Sequence, residues 1–412
     1  MKEVYKTIKN CRMCGSSSIT KYLDLGEMPL ANSLIEPKNA NKKSKVFPLQ
    51  VLYCGNCSLS QLSIVVNPKV LYSHYVYQSS ISKTFQEHCS KMAEKVIELV
   101  GNPYNKLVVD IASNDGCLLQ QFKNKGFDTI GVEPADNIAK IANSNGIKTI
   151  CDFWSTDIAK KIARNYRKAK IITATNVFAH VDNLNSFLTA INLLLDIDGI
   201  FIIEVPYLYD LLQKNEFDTI YHEHLSYFLI RPLKKLYDQN NLKIFKIEKY
   251  RIHGGSIRIY ASRSFFKENK SVQKFLKFEK ENCLYNLKTY QNFEIKVKKI
   301  KNYLLQLLQG LKNKNKKIAA YGASAKGNTL LNYCGIDDKL VSFIVDDTPE
   351  KQNHLAPGSR IKIVDSSWLN KESPDYILLL AWNFASEIMH KTSRIYKKNV
   401  RYIVPIPKVR VI

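Results

Sequence analysis

From residue 107 onward, short apolar runs alternate with amphipathic segments. "KLVVD" leads through a Ser/Asn/Asp/Gly loop into the helical pattern "GCLLQQFKNKGF". Strand "TIGVEP", helix "ADNIAKIANSNG", strand "IKTICDFW" and a basic helix follow. Strand "KIITATNVFAHV", helix "NLNSFLTAINLLLDIDG" and strand "IFIIEVP" complete the run. Strands that alternate with helices in this way predict a parallel, doubly wound sheet. Ahead of it, "SSISKTFQEHCSKMAEKVIELVG" predicts an amphipathic helix begun by a capping serine. Residues 265–315 read as helical and highly charged. A second α/β pattern then runs from "KIAAYGA" to the final strand "VRYIVPIP". The expected fold is α/β, with an N-terminal module at 1–73, a Rossmann-like domain at 74–250 and a second Rossmann-like domain at 251–412.

At 412 residues the chain exceeds one comfortable core, which agrees with this division. Hydrophobic residues make up 45%, and no apolar run approaches the roughly 18 residues that span a bilayer. The start "MKEVYKTIKN" lacks the apolar centre of a signal peptide. A cytoplasmic protein without membrane contact is expected. The net charge of +24 raises nucleic acid as a partner. The lysines are spread along the chain beside asparagines, with no arginine-rich block or RNA-binding aromatic signature, so no nucleic acid is expected. The positive field favours a small ligand bearing phosphate.

Cys11 and Cys14 form one CxxC, and Cys54 and Cys57 another. Without a secretion signal this pattern reads as metal binding. Four thiolates suit tetrahedral zinc and leave no open position, so the site is read as structural. Cys89, Cys117, Cys151, Cys283 and Cys334 are expected to be small buried residues.

"DIASNDG" (110–116) falls where a doubly wound sheet binds ligands, at the carboxyl end of its first strand. It holds one glycine where dinucleotide loops use three. That suits a ligand without pyrophosphate, such as S-adenosylmethionine. Asp110, Ser113, Asn114 and Gly116 are its candidates in the loop. Glu133, ending the second strand, can accept both ribose hydroxyls. Asp152 and Phe153, ending the third, can meet the adenine amine and ring, and Asn176 ends the fourth. The competing reading is a generic Rossmann loop with surface acids.

"TIYHEHLSYF" (219–228) crowds His222, Glu223, His224 and Tyr221 beside apolar residues. The HExxH spacing of a zincin is absent. General acid–base chemistry and a buried structural His/Tyr cluster both remain open. "YGASAKGNT" (321–329) opens a helix after a strand, which favours an anion. It lacks the order of a P-loop, so ATP hydrolysis is not expected. Ser324, Lys326 and Asn328, with Arg258 in "HGGSIR", are candidate phosphate or sugar contacts. An ordinary strand–helix turn is the alternative.

Taken together, the paired CxxC, "HYVYQSS", "DIASNDG", "GVEP", "TNVFAHV", "FDTIYHEHLSYF", "HGGSIRIY" and "GASAKGNTLLNYCGI" resemble the sugar C-methyltransferases of deoxysugar biosynthesis. The resemblance covers nearly the whole chain. It implies a zinc module, a central S-adenosylmethionine domain, and a C-terminal domain that helps to hold a nucleotide-linked 4-keto-6-deoxy sugar. It implies His224 as the base that removes the C3 proton, with Glu223 and Tyr221 supporting it. It implies Tyr75, ahead of Tyr77, as a tyrosine reaching in from the zinc module, and His180 and His222 as residues near the sugar. A monomer is expected. Sugar O-methylation and a non-catalytic zinc-ribbon/Rossmann binding protein are the alternatives.

Overall fold

The computed structural model describes residues 4–72, 78–263, 265–396 and 399–412, apart from the His253 side chain. The N-terminal module holds β1 (Tyr5–Thr7), β2 (Ile19–Met28), β3 (Phe47–Cys54), β4 (Ser60–Leu62), β5 (Ile64–Val66) and α1 (Pro68–Tyr72). β2, β3 and β4 form an antiparallel sheet, and β1 pairs with β5. The sheet's fourth strand comes from far along the chain, because Ser226 and Tyr227 pair with Gln61 and Ser60.

The central domain runs through α2 (Lys83–Val100), β6 (Leu107–Ile111), α3 (Cys117–Lys123), β7 (Asp128–Val132), α4 (Asp136–Ser144), β8 (Thr149–Ile150) and α5 (Thr156–Asn165). It continues with β9 (Ala169–Thr175), α6 (Leu184–Leu194), β10 (Leu195–Pro206), α7 (Leu208–Gln213), β11 (Ser226–Tyr227), α8 (Ile230–Gln239), β12 (Lys243–Tyr250) and β13 (Ser256–Ser262). Ser82 caps α2 by accepting from the Phe85 amide. The strand order is β12-β13-β10-β9-β6-β7-β8. β8, β7, β6, β9 and β10 are parallel, whereas β13 is antiparallel to both of its neighbours. The order reverses between β6 and β9, so a crevice opens there at the strand ends. The sheet reaches Ser262, past the expected boundary at 250, because β13 inserts between β12 and β10.

The C-terminal part holds α9 (Lys270–Glu281), α10 (Leu287–Asn313), β14 (Ile318–Tyr321), α11 (Ala325–Cys334), β15 (Ile344–Val345) and β16 (Ile363–Val364). It ends with α12 (Trp368–Glu372), β17 (Tyr376–Leu379), α13 (Ala385–Ile395), β18 (Arg401–Val404) and β19 (Arg410–Val411). Its sheet, β16-β15-β14-β17-β18-β19, is parallel except for β19.

One apolar cluster runs through all three parts, from Tyr22 and Val51 through Ile172 and Phe228 to Leu330 and Ile403. Tyr290 of α10 packs on Tyr22 and Tyr53 of the N-terminal sheet, with ring centroids 5.0 and 4.8 Å apart. Cys89, Cys117 and Cys334 are buried as expected; Cys151 and Cys283 are exposed. Cys151 follows the two-residue edge strand β8, and Cys283 lies in the turn between α9 and α10. Neither place offers a core to enter. Among the described residues no helix is long and apolar enough to cross a membrane.

Candidate active site

The two CxxC turns fold as matching knuckles. Gly15 and Ser58 both take positive φ (72° and 65°), which lets their amides turn back to the carbonyls of Cys11 and Cys54. This brings the four sulfurs within 4.8 Å of one another. Cys11 and Cys57 stand 3.6 Å apart, and Cys14 and Cys54 3.7 Å. A tetrahedron with zinc–sulfur bonds of about 2.3 Å has edges of about 3.8 Å, so the cluster fits zinc. All four positions are protein sulfur, and the ion's part is structural.

A cavity of about 470 Å³ opens at the reversal point of the central sheet. One end is walled by Asp110, Ser113, Asn114, Glu133, Phe153, Trp154 and Asn176. Two loops make this wall with left-handed asparagines: Asn114 at φ 51° after β6 and Asn176 at φ 56° after β9. Glu133 accepts from the amides of Asn114 and Ala135, both at 2.9 Å, so its carboxylate is fixed at the strand end. Thr173 donates to Asp110 at 2.6 Å, and burial pushes that carboxyl up to about 7. Burial also raises Glu133. The buried Ser113 hydroxyl has no hydrogen-bond partner among the described residues. Two buried acids, an orphaned hydroxyl and an aromatic wall fit a sulfonium nucleoside: carboxylates for hydroxyls and positive charge, rings for the base. Gly116 stands behind the wall, against Ile147. Asp152 is exposed and accepts from the Phe153 amide, so it caps its own turn and does not line the cavity.

Tyr72, His180, Asp182, Thr219, Tyr221, His224 and Lys326 line the other end. His224 stands with its ring centroid 4.1 Å from Tyr221 and 5.1 Å from His180. Its Nδ1 lies 2.8 Å from the Thr219 carbonyl. A carbonyl only accepts, so Nδ1 carries the proton and Nε2 is the basic nitrogen. His180 stacks on Tyr72 at 5.7 Å, and burial pushes its imidazole down to about 4. Lys326 projects from the first turn of α11, where Ser324 caps the helix by accepting from Gly327. Its ammonium lies 3.8 Å from Glu216 and 5.6 Å from the Trp382 ring centre, with no hydrogen-bond partner among the described residues.

Several residues singled out in the sequence stand elsewhere. Glu223 is buried next to His224 in sequence, but its carboxylate accepts from Asn32 of the N-terminal module at 2.6 Å. His222 is buried edge-on against Phe47, with centroids 5.8 Å apart, and does not line the cavity. Arg258 is 1% exposed and pairs with Glu204 at 2.8 Å on the adjacent strand. It also meets His88 and Tyr250, so its donors are engaged beneath the cavity and not offered to a phosphate. Asn328 donates to the Ala31 carbonyl and ties α11 to the N-terminal module. Ser324 is a helix cap. Tyr75 and Tyr77 lie outside the described residues. Sequence reasoning missed Tyr72, Asp182 and Thr219. Thr219 was legible as the start of the histidine segment, but its contribution is a backbone carbonyl that no side-chain pattern signals.

Three family descriptions match successive parts of the chain. The family description "Putative zinc binding domain" matches residues 11–72, "Methyltransferase domain" residues 85–247, and "C-methyltransferase C-terminal domain" residues 251–407. The chain is similar to C-methyltransferase NovU of Streptomyces niveus, with 34% identity over 414 residues covering 100% of this chain and 99% of that protein. Among solved structures it is similar to the magnesium protoporphyrin IX methyltransferase of Synechocystis PCC 6803 (13% identity, 43% of this chain, 83% of that chain, TM-score 0.35). It is also similar to a SAM-dependent methyltransferase of Archaeoglobus fulgidus (16% identity, 43% of this chain, 93% of that chain, TM-score 0.36).

Proposed function

The chain belongs to the family of S-adenosylmethionine-dependent C-methyltransferases, and from that premise we propose that it methylates C3 of a nucleotide-linked 4-keto-6-deoxy sugar. The observation that carries this reading is the His224–Thr219 hydrogen bond on a wall shared with the cofactor residues. Carbon methylation needs a carbanion equivalent. The ketone acidifies the neighbouring C3 proton, and a base must reach it at about hydrogen-bond distance.

Asp110, Ser113, Asn114, Glu133, Phe153 and Asn176 would hold S-adenosylmethionine, which supplies an electrophilic methyl group. His224 takes the C3 proton on Nε2. Its Nδ1–H bond to Thr219 stabilises the imidazolium and keeps the ring aimed. The C3–H electron pair moves toward the carbonyl and leaves negative charge on the oxygen. Tyr221, against the imidazole, orients the ring and the sugar. His180, kept neutral by burial, adds no competing positive charge beside His224. Lys326 is a cation in the same cavity with donors to offer, and it meets the anionic part of the substrate. The enzyme acts as a monomer.

The test is mass spectrometry of candidate nucleotide 4-ketosugars incubated with the enzyme and methyl donor, with NMR to locate the methyl. The expected product carries it on C3. In deuterated water, His224→Asn should lose C3 exchange and at least about 10²-fold in rate. A methyl found on oxygen, or undiminished exchange in that variant, overturns the reading.

A further inference from the structure

Arg12 lies inside the first knuckle, between Cys11 and Cys14. Its side chain is 2% exposed. Nε donates to Gln61 at 3.2 Å and Nη2 to the Leu62 carbonyl at 3.1 Å, so the guanidinium is fixed against β4. The remaining nitrogen, Nη1, is buried, has no hydrogen-bond partner among the described residues, and faces Asp182 Oδ1 at 3.5 Å. A buried guanidinium without a counter-charge is costly, and Asp182 is the carboxylate that faces it.

Asp182 lines the cavity and follows His180 by two residues. Its other oxygen meets Lys6 at 2.5 Å. Asn185 reaches the same knuckle at the Met13 carbonyl, 3.5 Å away. The short turn that carries His180, Phe178–His180, has no side-chain cap of its own. Its downstream end is therefore fastened by the N-terminal module, through contacts that cross about 170 residues of chain.

We propose that Arg12 is a positioning residue: the zinc-organised knuckle grips Asp182 and thereby sets the cavity wall that carries His180. This assigns the metal module a part in methyl transfer, delivered through one ion pair. Only the kinetic arm of the test rests on the proposed sugar reaction; the exchange arm does not.

The experiment uses the full-length zinc-loaded chain with Arg12→Gln, Asp182→Asn, the double variant and Arg12→Lys. Metal content should stay at that of the parent, because the four sulfurs are untouched. Amide hydrogen exchange across residues 176–185 should speed up on the order of tenfold in Arg12→Gln and in Asp182→Asn. With an accepted sugar substrate, kcat should fall on the order of tenfold while KM stays within about twofold. Members of one unit are not additive, so the double variant should be no worse than the worse single. Arg12→Lys should recover part of kcat. Unchanged exchange in both single variants, or losses that multiply in the double, overturns the proposal. Should Arg12→Gln lose metal or fail to fold, Asp182→Asn leaves the knuckle intact and decides the exchange arm alone. If no sugar is methylated by any variant, the proposed function fails while the exchange arm still judges the ion pair.

Discussion

His224 and Glu223 are neighbours in sequence, yet they face different partners. His224 lines the cavity, whereas Glu223 turns into the junction with the N-terminal module and meets Asn32. Burial raises the Glu223 carboxyl from 4.5 to about 7. Between those values the unfolded chain has released its proton and the folded chain has kept it. The contribution to stability is complete below the unfolded value and is lost as pH rises through about 7. Glu223→Gln keeps the oxygen that Asn32 donates to but cannot ionise. Its denaturation curves should match the parent below about pH 4 and show a gain of up to about 3 kcal/mol near about pH 8, at about 1.4 kcal/mol per unit. A pH dependence identical to the parent's would show that Glu223 does not hold this proton. At this scale the sequence exposed which residue types are concentrated together, and the His/Glu/Tyr segment was legible for that reason. It did not expose which of them turn toward the cavity. That choice is made by Asn32, Phe47 and Thr219, and the first two belong to a module far away in the chain.

Among elements, the loop between β6 and α3 makes the sharpest demand. Gly116 caps α3 at φ 84°, and a Cβ there would stand 2.9 Å from Ile147 Cγ2. Gly116→Ala should therefore combine left-handed strain of about 1–3 kcal/mol with displacement of the cofactor wall. Chemical denaturation should show the loss, and calorimetry with S-adenosylhomocysteine should show weaker binding. Retention of parental affinity would mean that the wall tolerates the shift. The alternation of strands and helices was readable because a buried parallel sheet needs apolar strands and amphipathic crossovers. The antiparallel insertion of β13 was not. "SIRIYAS" reads as a strand in either sheet, and only its pairing with β10 places Arg258 on Glu204 instead of on a ligand. Asp152 stands outside the cavity for a similar reason, since β8 ends early and its acid turns back on its own backbone.

For the molecule as a whole, the three parts share one apolar core, so zinc removal should reach far beyond the knuckles. Treatment with a strong chelator should lower the melting temperature of the entire chain and weaken S-adenosylhomocysteine binding, followed by circular dichroism and calorimetry. An unfolding step confined to the first 72 residues, with affinity intact, would show that the module is independent. The overall charge of +24 and the three-part division were plain from composition and pattern. The mutual dependence of the parts was not, because it rests on contacts such as Asn328 with Ala31 and Tyr53 with Tyr285 that no local pattern announces.

Ser226 and Tyr227 emerge from the histidine segment directly into the edge of the N-terminal sheet, beside β4. Anyone who trims this chain to its central domain would strip two residues of their ladder and leave the histidine loop anchored at one end only. Chimeras built to change which acceptor is methylated should accordingly transplant residues 1–73 and 219–228 as a single cassette, since a shared strand pairing joins the two pieces.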